Sequence, residues 1–251
     1  MGAAVAGTAL TSMPDARAAE AKPMPARKGA RNVVLVHGAY ADGSSWSKVI
    51  PLLQEAGMCV TSVQNPLTSL ADDARTVSFA LDRQDGPTVL VAHSYAGTVI
   101  SEVGLADHVT GLVFVAARAP EAGEDYAALS ARFPAAPVTP GIVSSGGFKW
   151  IDQDAFLRDF ANGVPRKEAL ALYAAQGLLS TAAPTTTNAA WREKPCWYAV
   201  SRDDRTIDPD LQRFMARRMQ ATTVELDSGH LSLVTHPKQI ARLILSAAAA
   251  A

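Results

Sequence analysis

A serine stands at the point where an apolar stretch of the chain gives way to small residues. Residues 89–100 read Val-Leu-Val-Ala-His-Ser-Tyr-Ala-Gly-Thr-Val-Ile, so that Ser94 lies between alanines at positions 92 and 96. This order is typical of a strand that turns sharply into a helix and lifts a serine Oγ to the tip of a parallel sheet. The turn is tight and needs small neighbours, and alanine is the smallest choice after glycine. The pattern predicts that Ser94 is a nucleophile; a chance serine in a strand-to-helix loop is the alternative.

Two later loops carry residues that could activate this serine. A serine hydroxyl is a poor nucleophile unless a base takes its proton during the attack, and an imidazole can do this near neutral pH. His230 ends the segment Asp-Ser-Gly-His, which follows an apolar stretch. A carboxylate behind the imidazole would fix its tautomer. Asp203 and Asp204, which follow another apolar stretch, are both candidates for that acid.

Backbone N–H groups near the serine could stabilise the charge that develops on a substrate carbonyl. Such an oxyanion hole needs two donors. We expect Tyr95 to supply one N–H and the loop at 37–40, His-Gly-Ala-Tyr, to supply the other, with Ala39 as the candidate. His37 is interpreted as a brace for this loop, and His93 as a packing residue that points away from the site.

Apolar strands alternate with helical patterns along most of the chain, which is typical of a parallel sheet covered by helices on both faces. Strands are predicted at 32–36, 59–63, 88–92, 111–115, 197–200 and 223–226, and helices at 45–56, 69–83, 95–103, 209–219 and 237–248. Ser69 is expected to cap the second helix. Because the carboxyl ends of parallel strands meet at one edge, the sheet should bring the serine, the histidine and the acid together.

The alternation stops between Pro120 and Trp191. This segment is rich in proline, glycine and threonine and contains helical stretches near 153–160 and 167–178. We interpret it as a helical cap at about 120–191, inserted into a domain that spans 32–251. The predicted fold class is α/β, with a mostly parallel, doubly wound sheet of about six strands and a helical cap insertion. The cap aromatics are expected to form the cap's own core, with lining of the acyl or alcohol pocket left open for one or two of them; they are Phe148, Trp150, Phe156, Phe160 and Trp191.

The composition argues against several classes of partner. The 251 residues carry a formal net charge of −1, so nothing points to nucleic acid or to an anionic membrane. No apolar run reaches the roughly 18 residues of a membrane span. Cys59 and Cys196 fit neither a metal-ligand spacing nor a disulfide framework, and both are interpreted as buried free thiols.

The first 31 residues are predicted to be a signal-like or disordered leader and a linker. Residues 2–10 are apolar, and the triplets at 16–18 and 19–21 have the Ala-x-Ala form of a cleavage site. No basic segment precedes them, so a disordered alanine-rich tail fits equally well. A true signal peptide would make the protein periplasmic or secreted, and otherwise it would be cytoplasmic.

From about residue 32 to the end, the chain resembles the α/β-hydrolase superfamily, in which Ser, Asp and His follow one another in this order. Within it, the chain is similar to the small-lid group of plant methyl-ketone and methyl-salicylate-type esterases, hydroxynitrile lyases and their bacterial relatives. The matching stretches are 34–39 with Trp46, 92–97, 204–207 with 211–215, and 228–231. In that group the acid precedes a basic residue, a small residue and isoleucine, so the resemblance selects Asp204 over Asp203. Ala96 departs from the glycine usual at its position.

The resemblance implies a serine hydrolase that cleaves carboxylic esters of small to medium apolar substrates through an acyl-enzyme on Ser94. Asp204 and His230 would complete the triad, and the N–H groups of Ala39 and Tyr95 would form the oxyanion hole. Neither a metal nor an organic cofactor is expected. The expected partner is a small-molecule ester, and a homodimer is left open.

Two other functions fit the same residues. A hydroxynitrile lyase is disfavoured, because the resembling lyases have a lysine after the catalytic histidine and a threonine in the oxyanion loop. Leu231 and the pair at 39–40, Ala-Tyr, occupy those places here. A non-catalytic binding protein of this fold can keep the whole triad, so sequence alone leaves it open.

Overall fold

A computed structural model describes residues 1–2 and 29–250 of the chain. The apolar stretch and the Ala-x-Ala triplets interpreted as a signal-like leader lie outside the described residues, apart from Gly2. The rest forms a sheet with helices on both faces and an inserted cap, which confirms the predicted α/β fold class.

The described residues contain nine strands. They are β1 (Asn32–Val36), β2 (Cys59–Val63), β3 (Thr88–His93), β4 (Val109–Val115), β5 (Ile142–Ser145), β6 (Phe148–Ile151), β7 (Leu179–Ser180), β8 (Cys196–Ser201) and β9 (Thr222–Leu226). Six of them form one parallel sheet in the order β2-β1-β3-β4-β8-β9. The order reverses direction between β1 and β3, and such a switch point opens a crevice at the carboxyl ends of the two strands.

Nine α-helical segments follow the same order in the described chain. They are α1 (Ile50–Glu55), α2 (Leu70–Asp82), α3 (Ala96–Val103), α4 (Tyr126–Ser130), α5 (Gln153–Ala155), α6 (Arg166–Ala174), α7 (Pro209–Arg218), α8 (Ser232–Thr235) and α9 (Pro237–Ala250). Helix α1 contacts α9, whereas α2 contacts α3. The strands β1, β3 and β8 are buried along their whole length, as expected for a sheet that is covered on both faces.

Most elements lie within a few residues of their predicted bounds. Ser69 caps α2 by accepting a hydrogen bond from the Asp72 N–H at 3.0 Å, as predicted. The helix predicted at 45–56 is instead a 3₁₀ turn at Gly43–Trp46 followed by α1. Pro51 occupies the first turn of α1, where no helical hydrogen bond requires its missing N–H, and so the regular helix starts there.

The segment between β4 and β8 contains more than helices. Strands β5, β6 and β7 form a small antiparallel sheet beside α4, α5 and α6, which the sequence did not predict. The stretch predicted as a helix near 153–160 begins as α5 and continues as a π-helical turn at Phe156–Phe160. The described residues contain no helix with the length and apolarity needed to cross a membrane.

One cysteine prediction is wrong. Cys196 is buried in β8, but Cys59 is exposed. The reason is that Cys59 begins β2, which is an edge strand of the sheet and is only partly covered.

Candidate active site

Ser94 sits in the sharp turn between β3 and α3. Its φ of 54° is in the left-handed region, which costs a residue with a side chain on the order of 1–2 kcal/mol. Backbone hydrogen bonds hold this conformation. The Ser94 N–H donates to the Val115 carbonyl at 3.2 Å, and its own carbonyl accepts from the N–H groups of Gly97 at 3.1 Å and Arg118 at 3.0 Å.

Two glycines let other backbone segments approach this turn. A Cβ on Gly97 would lie 1.8 Å from the Arg118 carbonyl oxygen, so only glycine lets α3 sit this close to the end of β4. A Cβ on Gly38 would lie 2.8 Å from the Ser94 Cβ and 3.0 Å from the His93 Nδ1. The loop after β1 is therefore packed directly against the serine.

The structure brings Ser94, His230 and Asp204 into one hydrogen-bonded chain. His230 Nε2 lies 2.9 Å from the Ser94 Oγ, and His230 Nδ1 lies 2.7 Å from the Asp204 Oδ2. Because an ionised carboxylate can only accept, Nδ1–H donates to Asp204, which leaves Nε2 free to accept from the serine hydroxyl. The imidazole is completely buried, while Ser94 stays 6% exposed. The arrangement can deprotonate the serine during an attack.

Asp204 is held by several donors besides the imidazole. Its Oδ1 accepts from the N–H groups of Thr206 at 2.7 Å and Ile207 at 3.0 Å, and its Oδ2 accepts from Gln212 Nε2 at 2.7 Å. Gln212 is fixed in turn, since its Oε1 accepts from the Ser201 N–H at 3.0 Å. These donors fix the direction in which the carboxylate faces the imidazole.

The neighbouring Asp203 is placed differently. Its side chain is exposed, and its carbonyl accepts a hydrogen bond from Asn162 Nδ2 at 2.9 Å. Of the two aspartates that the residues alone left open, the geometry brings only Asp204 to His230.

Two backbone N–H groups beside the serine have no acceptor among the described residues. They belong to Ala39, in the loop after β1, and Tyr95, at the start of α3. Both residues are nearly fully buried, with 3% and 2% of their surface exposed. A buried N–H without a partner costs about 1–3 kcal/mol, so native proteins rarely keep one without a use. An oxyanion would supply the missing acceptor.

Two aromatic side chains surround the His230 ring. The interpretation that His93 points away from the site is wrong: its ring lies 4.6 Å from the imidazole, and its Nε2 donates to the His230 carbonyl at 3.1 Å. Burial holds the pKa of His93 well below its usual range, so this ring is neutral. On the cap side, the Phe160 ring is 5.2 Å from the imidazole. His37, as interpreted, bonds the Gly38 carbonyl through Nδ1 at 2.9 Å and lies apart from the triad.

A buried carboxylate on α2 anchors the residue after the nucleophile. Asp73 accepts from the Tyr95 hydroxyl at 2.8 Å and from the Leu67 N–H at 2.7 Å. Burial raises the pKa of Asp73, and both hydrogen bonds oppose that rise. The contact ties Tyr95, whose N–H faces the serine, to a second helix.

A cavity of about 640 Å³ opens onto the serine. Its lining joins the oxyanion loop and the turn at Ser94 to the segment between β4 and β8. Apolar members include Phe133, Val138, Ile142 and Ile207. Among the described residues, no group of His, Cys, Asp or Glu side chains is arranged to hold a metal ion.

Sequence reasoning missed several residues that contact the site. Gln212 lies in one of the stretches on which the family resemblance rests, and Asp73 follows the predicted cap of α2. The sequence analysis assigned a function to neither residue. Phe160 was one of the cap aromatics expected to form the cap's own core or to line the pocket, and no contact with the base was predicted for it. Its contact with His230, like that of Asp73 with Tyr95, depends on the tertiary fold and leaves no local signal.

Comparisons with known proteins agree with this fold. The sequence profile of the alpha/beta hydrolase family matches residues 33–243. The chain is 28% identical over 245 residues to the alpha/beta hydrolase nvfD of Aspergillus novofumigatus, covering 86% of this chain and 96% of that one. Among solved structures, a pyrethroid hydrolase from Sphingobium faniae has a TM-score of 0.70 at 23% identity, with 86% and 96% of the two chains covered. The methylesterase MES16 from Arabidopsis has a TM-score of 0.71 at 18% identity, with 87% and 98% covered.

Proposed function

The chain belongs to the alpha/beta hydrolase family, and we propose that it is a serine hydrolase that cleaves carboxylic esters of small to medium size. The observation that carries the proposal is the chain from Ser94 through His230 to Asp204, at 2.9 and 2.7 Å, beside two buried N–H groups without acceptors. Of the two solved structures that share this fold, one is named as a hydrolase of pyrethroids and the other as a methylesterase, which supports the same reaction class.

In the proposed acylation step, the Ser94 Oγ attacks the ester carbonyl while His230 Nε2 takes the hydroxyl proton. The carbonyl oxygen becomes an oxyanion that the N–H groups of Ala39 and Tyr95 can bind. Collapse of this intermediate breaks the ester C–O bond, and His230 returns the proton to the leaving alcohol. Asp204 stabilises the imidazolium that exists between the two proton transfers.

Deacylation repeats the sequence with water. His230 takes a proton from a water molecule, whose oxygen attacks the acyl carbonyl, and then returns the proton to Ser94 Oγ as the acid leaves. In the overall reaction, one ester and one water molecule give one carboxylic acid and one alcohol. These steps use only protein groups and water.

Replacement of the nucleophile tests the proposal. Ser94→Ala should reduce kcat for 4-nitrophenyl acetate by about 10⁴- to 10⁶-fold, because loss of one triad member disables the set. A fluorophosphonate probe should label the wild-type protein and leave the variant unlabelled. The Ser130→Ala variant, at the cavity lining but outside the triad, serves as a matched control for the substitution itself. A variant that keeps a tenth of the activity would place the nucleophile elsewhere, and labelling without turnover would favour a binding protein.

A further inference from the structure

The cavity that opens onto Ser94 contains two cationic side chains. Arg118 follows β4, and Lys149 lies on β6 of the small antiparallel sheet; both line the cavity. Each is partly buried. Lys149 is close enough to Arg118 for their repulsion, added to burial, to lower the pKa of Lys149. Two like charges held near each other in a partly dry cavity are unfavourable unless an anion joins them.

Neither cation has an acidic partner in the described part of the chain. Neither Arg118 nor Lys149 forms an ion pair there, and the Arg118 Nε is buried without a hydrogen-bond acceptor. The carboxylate that lines the cavity, Asp125, instead caps α4 by accepting from the N–H groups of Ala127 at 2.8 Å and Ala128 at 3.2 Å. The lining of the cavity therefore has two cations and one carboxylate, and that carboxylate pairs with neither cation.

Aromatic rings position the guanidinium. The Arg118 Cζ lies 4.5 Å from the Tyr126 ring centroid and 5.7 Å from that of Tyr95. The charge of Arg118 also lowers the pKa of Tyr40, Tyr95 and Tyr126, while burial raises each of these pKa values more strongly. Cation–π contacts fix an arginine without using its N–H donors. The donors remain available to a ligand.

Two hydroxyls of the same cavity lack partners as well. The Tyr126 OH and the Thr206 Oγ1 are both buried and bond to nothing among the described residues. Burial raises the pKa of Tyr126 to about 12, so its hydroxyl remains a donor. A guanidinium nitrogen and two hydroxyls without partners can all donate to the same kind of ligand atom, an oxygen, and the charge of the guanidinium favours an anionic one.

We propose that the cavity binds an ester that carries a second, anionic group, a carboxylate, which Arg118 and Lys149 hold while Ser94 attacks the ester carbonyl. This inference rests on the proposed ester hydrolysis and replaces the expectation of a wholly apolar substrate. The apolar part of the lining contacts the chain between the two groups. The substrate class is thus the monoester of a dicarboxylic acid, or an ester of a carboxylate-bearing alcohol.

Paired esters test the charge preference in the wild-type protein. For an acid-side charge the pair is 4-nitrophenyl hydrogen adipate and 4-nitrophenyl heptanoate; for an alcohol-side charge it is 4-carboxyphenyl hexanoate and 4-carbamoylphenyl hexanoate. In at least one pair, kcat/KM for the anionic ester should exceed that for the neutral one about ten- to hundredfold. The ratio should fall as salt rises from about 0.05 to about 0.5 M.

Charge-removing variants assign the preference to the two cations. Arg118→Gln and Lys149→Gln should each lower the anionic-to-neutral ratio, Arg118→Gln by about tenfold or more. Arg83→Gln makes the same charge change just beyond the end of α2. Because Arg83 lies near the start of β3, whereas Ser94 follows its carboxyl end, this variant should leave the ratio unchanged. If Arg118→Gln slows both esters of a pair equally, the guanidinium acts by packing against the tyrosines and the inference is wrong.

Binding measurements that require no turnover distinguish the proposed anion site from the proposed ester hydrolysis. Adipate should bind the wild-type protein more tightly than the uncharged adipamide in calorimetry, and either cation variant should weaken adipate binding. No hydrolysis of any ester, together with Arg118-dependent adipate binding, would overturn the proposed function and keep the anion site. Hydrolysis of both esters of each pair at equal rates, without preferential adipate binding, would overturn the anion site and keep the function.

Discussion

Asp204 shows how much structure one side chain of a triad requires. Two backbone N–H groups, the Gln212 amide and the imidazole all donate to its two oxygens. A carboxylate so fully bonded cannot rotate away from His230. The arrangement explains why an adjacent aspartate in the same loop is no substitute, because Asp203 is exposed and lacks those donors.

Comparison of the two aspartates by mutation gives a direct test. Asp204→Asn should lower kcat by roughly 10⁴-fold, because an amide in this place favours the wrong imidazole tautomer. Asp203→Asn makes the same change one residue earlier and should lower kcat by less than about tenfold, as expected for an exposed charge. Steady-state kinetics of both variants on one activated ester decide the matter. The reverse ranking would move the acid by one position, and two mild losses would contradict the triad.

Sequence reasoning reached some of these residues and missed others for a physical reason. Ser94 and His230 stand in short segments whose own residues suggest chemistry, so a local pattern is enough to single them out. Asp204 needed the family resemblance, because two adjacent aspartates look alike in sequence. Nothing in the sequence indicated a function for Arg118, because the role of a lone arginine after a strand depends on the cavity that the fold builds around it.

Helix α3 can approach the end of β4 only because its second residue lacks a side chain. The Gly97→Ala variant should be destabilised by about 1–3 kcal/mol, because the added methyl group would overlap the Arg118 carbonyl and must displace it. The same shift would disturb the Ser94 turn, since the Ser94 carbonyl accepts from both Gly97 and Arg118. Urea unfolding and ester kinetics should therefore both show losses.

The adjacent position supplies the control for this prediction. Ala96→Gly exchanges the same two residue types in the opposite direction, restores the glycine that the usual serine turn carries, and should cost at most about 1 kcal/mol through helix propensity. Helix propensity alone would make Gly97→Ala more stable than the wild-type protein, so a Gly97→Ala variant that loses no stability would show that the contact with Arg118 does not constrain the turn.

An ion-pair cluster links strand β9 to its neighbours and makes stability depend on pH. Glu225 accepts from Arg213 at 2.8 Å and from Arg202 at 3.0 Å, and these two hydrogen bonds lower the pKa of Glu225 to about 2. A carboxyl whose pKa is lower in the folded protein stabilises the fold above its unfolded pKa and loses that contribution as pH falls. The window here runs from about 4.5 down to about 2.

Glu225→Gln should therefore reduce the free energy of unfolding at pH 7, while near pH 2 the variant and the wild-type protein should differ little. The expected loss is about 1 kcal/mol or less, because the partners are partly exposed and solvent screens the pair. Glu193→Gln, at an exposed glutamate without a side-chain partner in the described chain, should show no such pH-dependent difference. Urea unfolding at several pH values provides the comparison, and a difference that grows toward acid would contradict the assignment.

The cap and the sheet meet directly over the catalytic loops. A Cβ on Gly229 would lie 2.2 Å from the Asn162 Oδ1, and Asn162 also bonds the Asp203 carbonyl at 2.9 Å. The segment after the π-helical turn thus packs against the loops that carry both the acid and the base. The alternation of strands and helices predicted the sheet, whereas these contacts join residues more than forty positions apart and could not be read from local patterns.

Exclusion of water from the imidazole depends on this junction. Phe160 packs its ring 5.2 Å from His230, whose side chain is completely buried, and also meets Tyr40 of the oxyanion loop at 6.1 Å. A dry site strengthens the interactions of the imidazolium with Asp204 and of the oxyanion with its donors. In the proposed mechanism, the cap would therefore influence the reaction through the environment of His230.

Substitution of two phenylalanines in one helical turn can distinguish the exclusion of water from the imidazole from the packing of the cap. Phe156 and Phe160 contact each other at 4.8 Å and are both fully buried, but of these two rings only Phe160 has a described contact with His230. Replacing either with leucine should cost a similar free energy of unfolding, about 1–2 kcal/mol, because both leave part of the same cluster unfilled. The Phe160→Leu variant alone should also lower kcat, by about three- to tenfold, since water would reach the imidazole. Equal effects of the two substitutions on kcat, measured on folded protein of matched stability, would show that the cap supports catalysis only by holding the fold together.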